Sequence, residues 1–149
     1  MLFNNTCQDI LAVAEEMLNG ELEYRKGNNE AAFAHLRRSV ELDDTLPYDE
    51  PWGWMQPTRH ALGALLMEQG RHEEAEQVYR EDLGLVPSLS RACQHPDNVW
   101  SLHGLHECLK RRGEEAEAVL IGQRLDMALA RADVTIKASC YCRGRRQAA

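Results

Sequence analysis

The side chains best suited to chemistry in this sequence are cysteines and histidines in its carboxy-terminal third. Cys140 and Cys142 form a Cys-x-Cys pair, and His103 and His106 lie one turn apart on a predicted helix. Thiolates and imidazoles bind Zn²⁺ and Cu⁺. Positions three apart on a helix project about 60° from each other, so the two histidines can share a face, whereas Cys108 projects away. One hypothesis is therefore a small metal-binding or thiol-redox protein.

A competing interpretation gives this Cys-x-Cys pair no metal, or has it oxidise reversibly. The chain contains five cysteines, an odd number without the spacing of a disulfide framework. For such a chain we expect reduced thiols in a cytosolic setting.

Motifs of catalysis are not found in this sequence. No serine, cysteine or lysine stands in a recognisable nucleophile motif, and no glycine-rich loop cradles a phosphate. His72, Glu73 and Glu74 open a predicted helix, where acidic side chains interact favourably with the helix dipole. We therefore expect a protein that is not an enzyme and needs no cofactor.

The elements that position these residues repeat every 43 residues. Glycine recurs at Gly27, Gly70 and Gly113, and an alanine follows each glycine after five positions. Each glycine separates two runs with helical periodicity, which predicts stacked helix pairs. We predict a helical repeat domain over 1–132, with pairs at about 6–43, 58–83 and 98–131, and an irregular tail over 133–149.

Positions inside the middle unit point to one kind of repeat. Leu62 and Gly63 begin the pattern, and Ala75, Tyr79 and Pro87 continue it. The pattern resembles the tetratricopeptide repeat (TPR) family from about residue 5 to residue 131. The resemblance implies an all-α, right-handed solenoid of three TPR-like helical hairpins. Small residues such as Gly63 and Ala75 would lie where the two helices of a pair cross.

The outer units match the pattern less well. The first unit has Leu36 in the aromatic place, and the third has His106 where a small residue is expected and Gly122 where an aromatic is. Three further segments resemble the carboxy-terminal portion of longer bacterial and fungal TPR proteins, at 47–52, 56–63 and 138–143.

The resemblance also implies a ligand groove, lined by the first helix of each pair. Its mixed charge, with aromatic and methionine anchors, suits a peptide or helix of a partner protein. Trp100 projects opposite the apolar stripe of its own helix, so a partner segment or the tail around Tyr141 would cover its ring. The groove positions are Tyr24, Arg25, His60, Met67, Trp100, His103, Glu107, Lys110 and Arg111.

The connector between the first two pairs is rich in proline and aromatic residues. Three prolines within 46–57 exclude a continuous helix, so the connector is extended. Large aromatic side chains bury much area when packed, so we expect these to be shielded from water. Trp52 and Trp54 either pack on neighbouring helices or form a wall of the groove.

Charge and hydropathy exclude several classes of function. A net charge of −7 argues against broad binding to nucleic acid or anionic membranes, although Arg143, Arg145 and Arg146 make the tail locally basic. No apolar run approaches the roughly 20 residues that span a bilayer. Residues 1–9 lack the pattern of a secretory signal. A cytoplasmic protein of undetermined oligomeric state is expected.

Overall fold

The structure, a computed structural model, describes residues 3–143. Within that range the chain forms α-helices and no β-strand, which confirms the all-α prediction. The helices are α1 (Cys7–Lys26), α2 (Asn29–Asp44), α3 (Thr58–Glu68), α4 (His72–Asp82), α5 (Val99–Arg112) and α6 (Glu115–Leu129), with a short 3₁₀-helix at Arg91–Cys93. These bounds lie within a few residues of the predicted ones.

The chain divides into two compact units, which are described separately below. The amino-terminal unit is Met1–Thr58 and contains α1 and α2, which pack on each other. The carboxy-terminal unit is Arg59–Ala149 and contains the other four helices. In this second unit α5 packs against both α4 and α6.

Glycine ends the first helix of each pair, at the predicted positions. Gly27, Gly70 and Gly113 have φ values of 86°, 73° and 76°. This left-handed conformation is strained for residues with a Cβ, which explains glycine at all three turns. At the other end of their helices, Thr6 and Asn98 accept hydrogen bonds from the backbone N–H three residues on, at 3.1 and 2.8 Å.

The same small-against-large contact joins the helices of the first two pairs. A Cβ built at Gly20 would lie 2.6 Å from Leu36 Cγ, and one at Gly63 would lie 2.5 Å from Tyr79 Cε1. In each pair the glycine admits a larger side chain from the second helix. The two contacts are 43 residues apart in sequence, which agrees with the period of the pattern.

In the third pair the sizes are exchanged. His106 occupies the position of Gly63, and Gly122 occupies the position of Tyr79. A Cβ built at Gly122 would lie 3.3 Å from His106 Nε2, so the imidazole covers the glycine of the second helix. The two departures from the TPR pattern therefore compensate each other.

Polar contacts anchor the connector to the start of the chain. Asn5 is fully buried and donates a hydrogen bond to the Pro47 carbonyl at 3.1 Å, while Asp49 accepts one from the Asn4 backbone N–H at 3.1 Å. Trp52 remains 43 % exposed. The expectation that the connector's aromatics are shielded is therefore wrong for Trp52 and for Tyr48, which is 57 % exposed. The side chains of Asn4 and Asn5 anchor the backbone at Tyr48 and Pro47 instead.

Residues 133–143 form an irregular segment after α6, as predicted. Ile136, Ser139 and Cys140 in this segment are buried. The predicted basic residues Arg145 and Arg146 lie outside the described residues, and so does the rest of the predicted tail beyond 143.

Candidate functional site

Helix α5 presents a polar face because its apolar and polar residues lie on different sides of the helix. Leu102, Leu105 and Leu109 are fully buried and fix the orientation of the helix. Residues at intervals of three and four positions share a face of a helix. The face away from the leucines therefore carries His103, Glu107 and Arg111, with Lys110 at its edge, whereas His106 lies beside the leucine stripe.

This face lines an open cavity of about 550 Å³, which we call the α5 cavity. Leu125 and Leu129 of α6 and Ile136 of the tail provide its apolar wall. Four of the predicted partner-binding residues meet here, and so do both histidines of the metal hypothesis. The α5 residues are His103, His106, Glu107, Lys110 and Arg111.

Glu107 is the acidic group of the cavity, and two arginines engage it. Arg143 Nη1 and Nη2 donate to the carboxylate at 2.7 and 3.0 Å, and Arg111 Nη2 donates at 2.7 Å. Burial raises the pKa of the Glu107 carboxyl, but the hydrogen bonds and charge of Arg143 outweigh burial and hold the pKa below its usual range. Glu107 is therefore an ionised, bidentate anchor for the tail.

Cationic character dominates the rest of the rim. Lys110 and Arg111 are exposed, and only Glu107 opposes their charge among the cavity-lining side chains. An anionic group entering the cavity would therefore be attracted rather than repelled.

His103 brings an incompletely satisfied polar group to the cavity. Its Nδ1 is shielded from solvent and has no hydrogen-bond partner within residues 3–143. Burial lowers the pKa of His103, so the neutral imidazole is favoured at pH 7. A neutral imidazole offers one donor and one acceptor. His103 lines the cavity, but its shielded Nδ1 is not open to a ligand arriving from solvent.

The tail covers other predicted binding residues of this unit. Ser139 Oγ lies 2.6 Å from Tyr79 Oη and donates to the His60 carbonyl at 3.1 Å. The rings of Tyr141 and Trp100 meet edge to face at 5.4 Å. A partner segment or the tail was expected to cover the Trp100 ring, and within the described residues the tail contacts it.

His60 and Met67 do not line an accessible groove. Every residue of α3 from Thr58 to Met67 is buried, and Met67 is only 1 % exposed. The groove positions were inferred for helices with one exposed face, whereas α3 has none over these positions. The accessible surface expected at His60 and Met67 is therefore wrong, and their role in partner binding stays a prediction.

Tyr24 and Arg25 belong to the amino-terminal unit. Tyr24 is 7 % exposed and meets Phe33 edge to face at 6.1 Å. The Arg25 guanidinium lies over the Tyr24 ring, 5.7 Å from its centroid. Tyr24 is thus a core residue of this unit, while Arg25 remains exposed.

The two connector tryptophans also belong to the amino-terminal unit. Trp54 is half-buried, and its Nε1 is shielded without a hydrogen-bond partner in the described range. Trp52 is the more exposed of the two. Whether either residue forms a groove wall stays a prediction.

A buried polar cluster in the carboxy-terminal unit was missed by sequence reasoning. Its centre is Asp82, which is fully buried; we call it the Asp82 cluster. His95 Nδ1 lies 2.7 Å from Oδ1, while His60 Nε2, Asn98 Nδ2 and Ser101 Oγ lie 3.1, 2.8 and 2.6 Å from Oδ2. Four side chains thus converge on one carboxylate.

This convergence keeps Asp82 ionised. Burial raises the pKa of the carboxyl, but the hydrogen bonds and charges of His60 and His95 outweigh burial and hold the pKa far below its usual range. One sequence signal could have found the site, because Asp82 continues the buried stripe of Ala75 and Tyr79 at helical spacing. A charged residue on a buried stripe implies a polar partner.

The residues of the metal hypothesis are not assembled into a metal site within residues 3–143. Within the described range no group of three or more histidine, cysteine or acidic side chains is placed to hold a metal ion. Cys140 and Cys142 are joined to each other in a disulfide, against the expectation of reduced thiols. Cys108 donates to the His72 carbonyl at 3.0 Å, and burial raises the pKa of its thiol to about 11.

Comparison of the chain with protein-family models, with curated proteins and with solved structures found no match. No helix of residues 3–143 is long and apolar enough to cross a membrane. The geometry of the α5 cavity and the groups around it are therefore the basis on which a function can be inferred.

Proposed function

We propose that this chain is a cytosolic protein-interaction module, built of TPR-like helix pairs, which binds a peptide segment of a partner protein in the α5 cavity. The observation that carries the proposal is that His103, Glu107, Lys110 and Arg111 line one open cavity. The resemblance to TPR proteins predicts all four as partner-binding residues. In this proposal the chain binds its ligand without catalysis.

The TPR-like part of the proposal is supported by packing. The turn glycines recur with the 43-residue period, and every helix pair has a small residue opposite a larger one at equivalent positions. Repeat proteins conserve such contacts because each unit uses the same crossing geometry. The exchange between His106 and Gly122 keeps that complementarity in the third pair.

The chemistry of the cavity favours a peptide that combines an aliphatic and an acidic side chain. Leu125, Leu129 and Ile136 offer an apolar wall for the aliphatic group. Lys110 would pair with the carboxylate, while Arg143 and Arg111 already engage Glu107. Burial of an apolar anchor beside a charge-assisted contact is a common basis of peptide recognition.

Selection from a displayed library of random octapeptides tests the proposal. We expect selected peptides to contain an acidic residue next to a leucine, isoleucine or valine. Lys110→Glu should weaken the strongest selected peptide by about tenfold or more, because attraction becomes repulsion. Arg131→Glu is the matched control, since Arg131 is also exposed but does not line the cavity.

Two results would contradict the proposal. One is a library that yields no peptide binding saturably to the parent protein. The other is a set of peptides that bind the Lys110→Glu and Arg131→Glu variants equally well, which would place the binding surface elsewhere.

A further inference from the structure

The Cys140–Cys142 disulfide has one buried end and one accessible end. Cys140 is 6 % exposed, whereas Cys142 is half-buried. The two Cα atoms lie 5.2 Å apart, with only Tyr141 between the cysteines. A thiol arriving from solvent therefore reaches Cys142 more readily than Cys140.

A backbone group is aimed at the buried sulfur. The Cys142 N–H donates to Cys140 Sγ at 3.1 Å. A hydrogen bond of this kind stabilises a thiolate more than a neutral sulfur, so Cys140 is favoured as the leaving group when the disulfide opens. Exchange is fastest when the departing thiolate is stabilised.

Loop size also favours reversibility. A disulfide stabilises a fold largely by restricting the unfolded chain, and that restriction grows with the length of the closed loop. Here the loop holds a single intervening residue. The disulfide therefore adds little to the stability of the fold. Its reduction by small thiols costs correspondingly little folding free energy.

We propose that Cys140 and Cys142 form a reversible dithiol–disulfide exchange site, with glutathione or a similar small thiol as the reductant. The thiolate of one glutathione attacks Cys142 Sγ, and the Cys140–Cys142 bond breaks. Cys140 leaves as a thiolate and takes up a proton. A second glutathione thiolate then attacks the glutathione sulfur of the mixed disulfide, which releases Cys142 and oxidised glutathione. Two thiols have supplied two electrons and two protons.

The exchange site is connected to the α5 cavity through its neighbours. Tyr141, inside the disulfide loop, packs on Trp100. Arg143, the next residue after the loop, holds Glu107 in the cavity. Opening the loop relaxes the backbone between these two anchors, so the redox state is transmitted to Trp100 and to the rim of the cavity.

Equilibration with glutathione tests the exchange. The parent protein is incubated at a series of ratios of reduced to oxidised glutathione, quenched in acid, alkylated and analysed by peptide mass spectrometry. We expect Cys140 and Cys142 to convert together from the disulfide to two alkylated thiols. A pair that stays reduced in excess oxidised glutathione, or stays oxidised in excess reduced glutathione, overturns the proposal.

Single variants test the direction of attack. Oxidised glutathione should modify Cys142 in Cys140→Ser about tenfold faster than Cys140 in Cys142→Ser, because Cys142 is the more exposed of the two residues. Equal rates, or the reverse order, would overturn the assigned roles. These readouts are independent of peptide binding, so they stand or fall apart from the proposed function.

Tryptophan emission tests the connection to the cavity. Replacing Trp52 and Trp54 by phenylalanine leaves Trp100 as the remaining tryptophan of the three in the chain. We expect reduction to change its emission, and Cys140→Ser with Cys142→Ser to abolish the response. Reduction confirmed by mass spectrometry without any change in emission would overturn the transmission to Trp100.

Discussion

Two regions of the carboxy-terminal unit use histidine in opposite ways. In the Asp82 cluster, His60 and His95 lie against a fully buried carboxylate that also accepts bonds from Asn98 and Ser101. In the α5 cavity, His103 has a shielded nitrogen with no partner among the described residues. The difference teaches that polar groups which satisfy one another support the fold, whereas a histidine at the wall of an open cavity lies outside such a network within the described residues.

The largest loss of stability is expected from a substitution of Asp82. Asp82→Asn should lower the free energy of unfolding by about 3–5 kcal/mol, because it removes a buried charge that four polar side chains surround. Asp126→Asn, at an exposed position of α6, is the control and should change stability by less than about 0.5 kcal/mol. Urea denaturation measures both, and equal effects would show that the cluster is not structural.

The pH dependence of stability sharpens the same point. The pKa of Asp82 is lower in the folded protein than in the unfolded chain, where an aspartate titrates near about 3.9. The unfolded state therefore takes up the proton first, so the contribution of Asp82 is present above about pH 4 and lost as the pH falls further. Unfolding measured between about pH 5 and 2 should show a shallower loss in Asp82→Asn than in the parent. Parallel curves would contradict this account.

A matched pair of glycine variants compares packing in the two regions. Gly63→Ala would press on Tyr79, which is fixed in the core, and should cost about 1–3 kcal/mol. Gly122→Ala meets the edge of the His106 ring at the cavity, where the ring can shift, and should cost less than about 0.5 kcal/mol because alanine is the better helix former. Thermal unfolding of both variants tests the difference, and a larger loss in Gly122→Ala would reverse it.

The smallest stability change is expected at His103. His103→Leu removes a nitrogen that has no partner in the described range, so stability should change by less than about 0.5 kcal/mol while binding of the selected peptide is lost. His60→Leu is the comparator and should cost about 1–3 kcal/mol, because Asp82 loses a buried donor. Similar stabilities for the two variants would remove the distinction between the regions.

The helices and turns could be predicted from sequence because their signals are local. Hydrophobic periodicity and the turn glycines Gly27, Gly70 and Gly113 gave helix bounds close to those of the structure. The face of α5 was predictable for the same reason, since its apolar stripe fixes the opposite side. His103 and Lys110 therefore meet at the cavity as helical register requires.

The Asp82 cluster could not be predicted in this way. His95 and Asn98 come from the connector before α5, which has no periodicity that would orient them. The burial of Met67 was missed for a related reason. Helical register predicts one exposed face for α3, but residues 58–67 of this helix are all buried. Contacts between distant segments depend on the tertiary fold, which local patterns do not encode.

Imidazole NMR during a peptide titration tests the central claim most directly. The protein has six histidines, and their ring signals can be assigned by single substitution. As the strongest selected peptide is added, we predict saturable shifts at His103 and His106 and unchanged signals at His60 and His95. Shifts at His60 and His95 with none at His103 and His106 would contradict the assignment of binding to the α5 cavity and of structure to the Asp82 cluster.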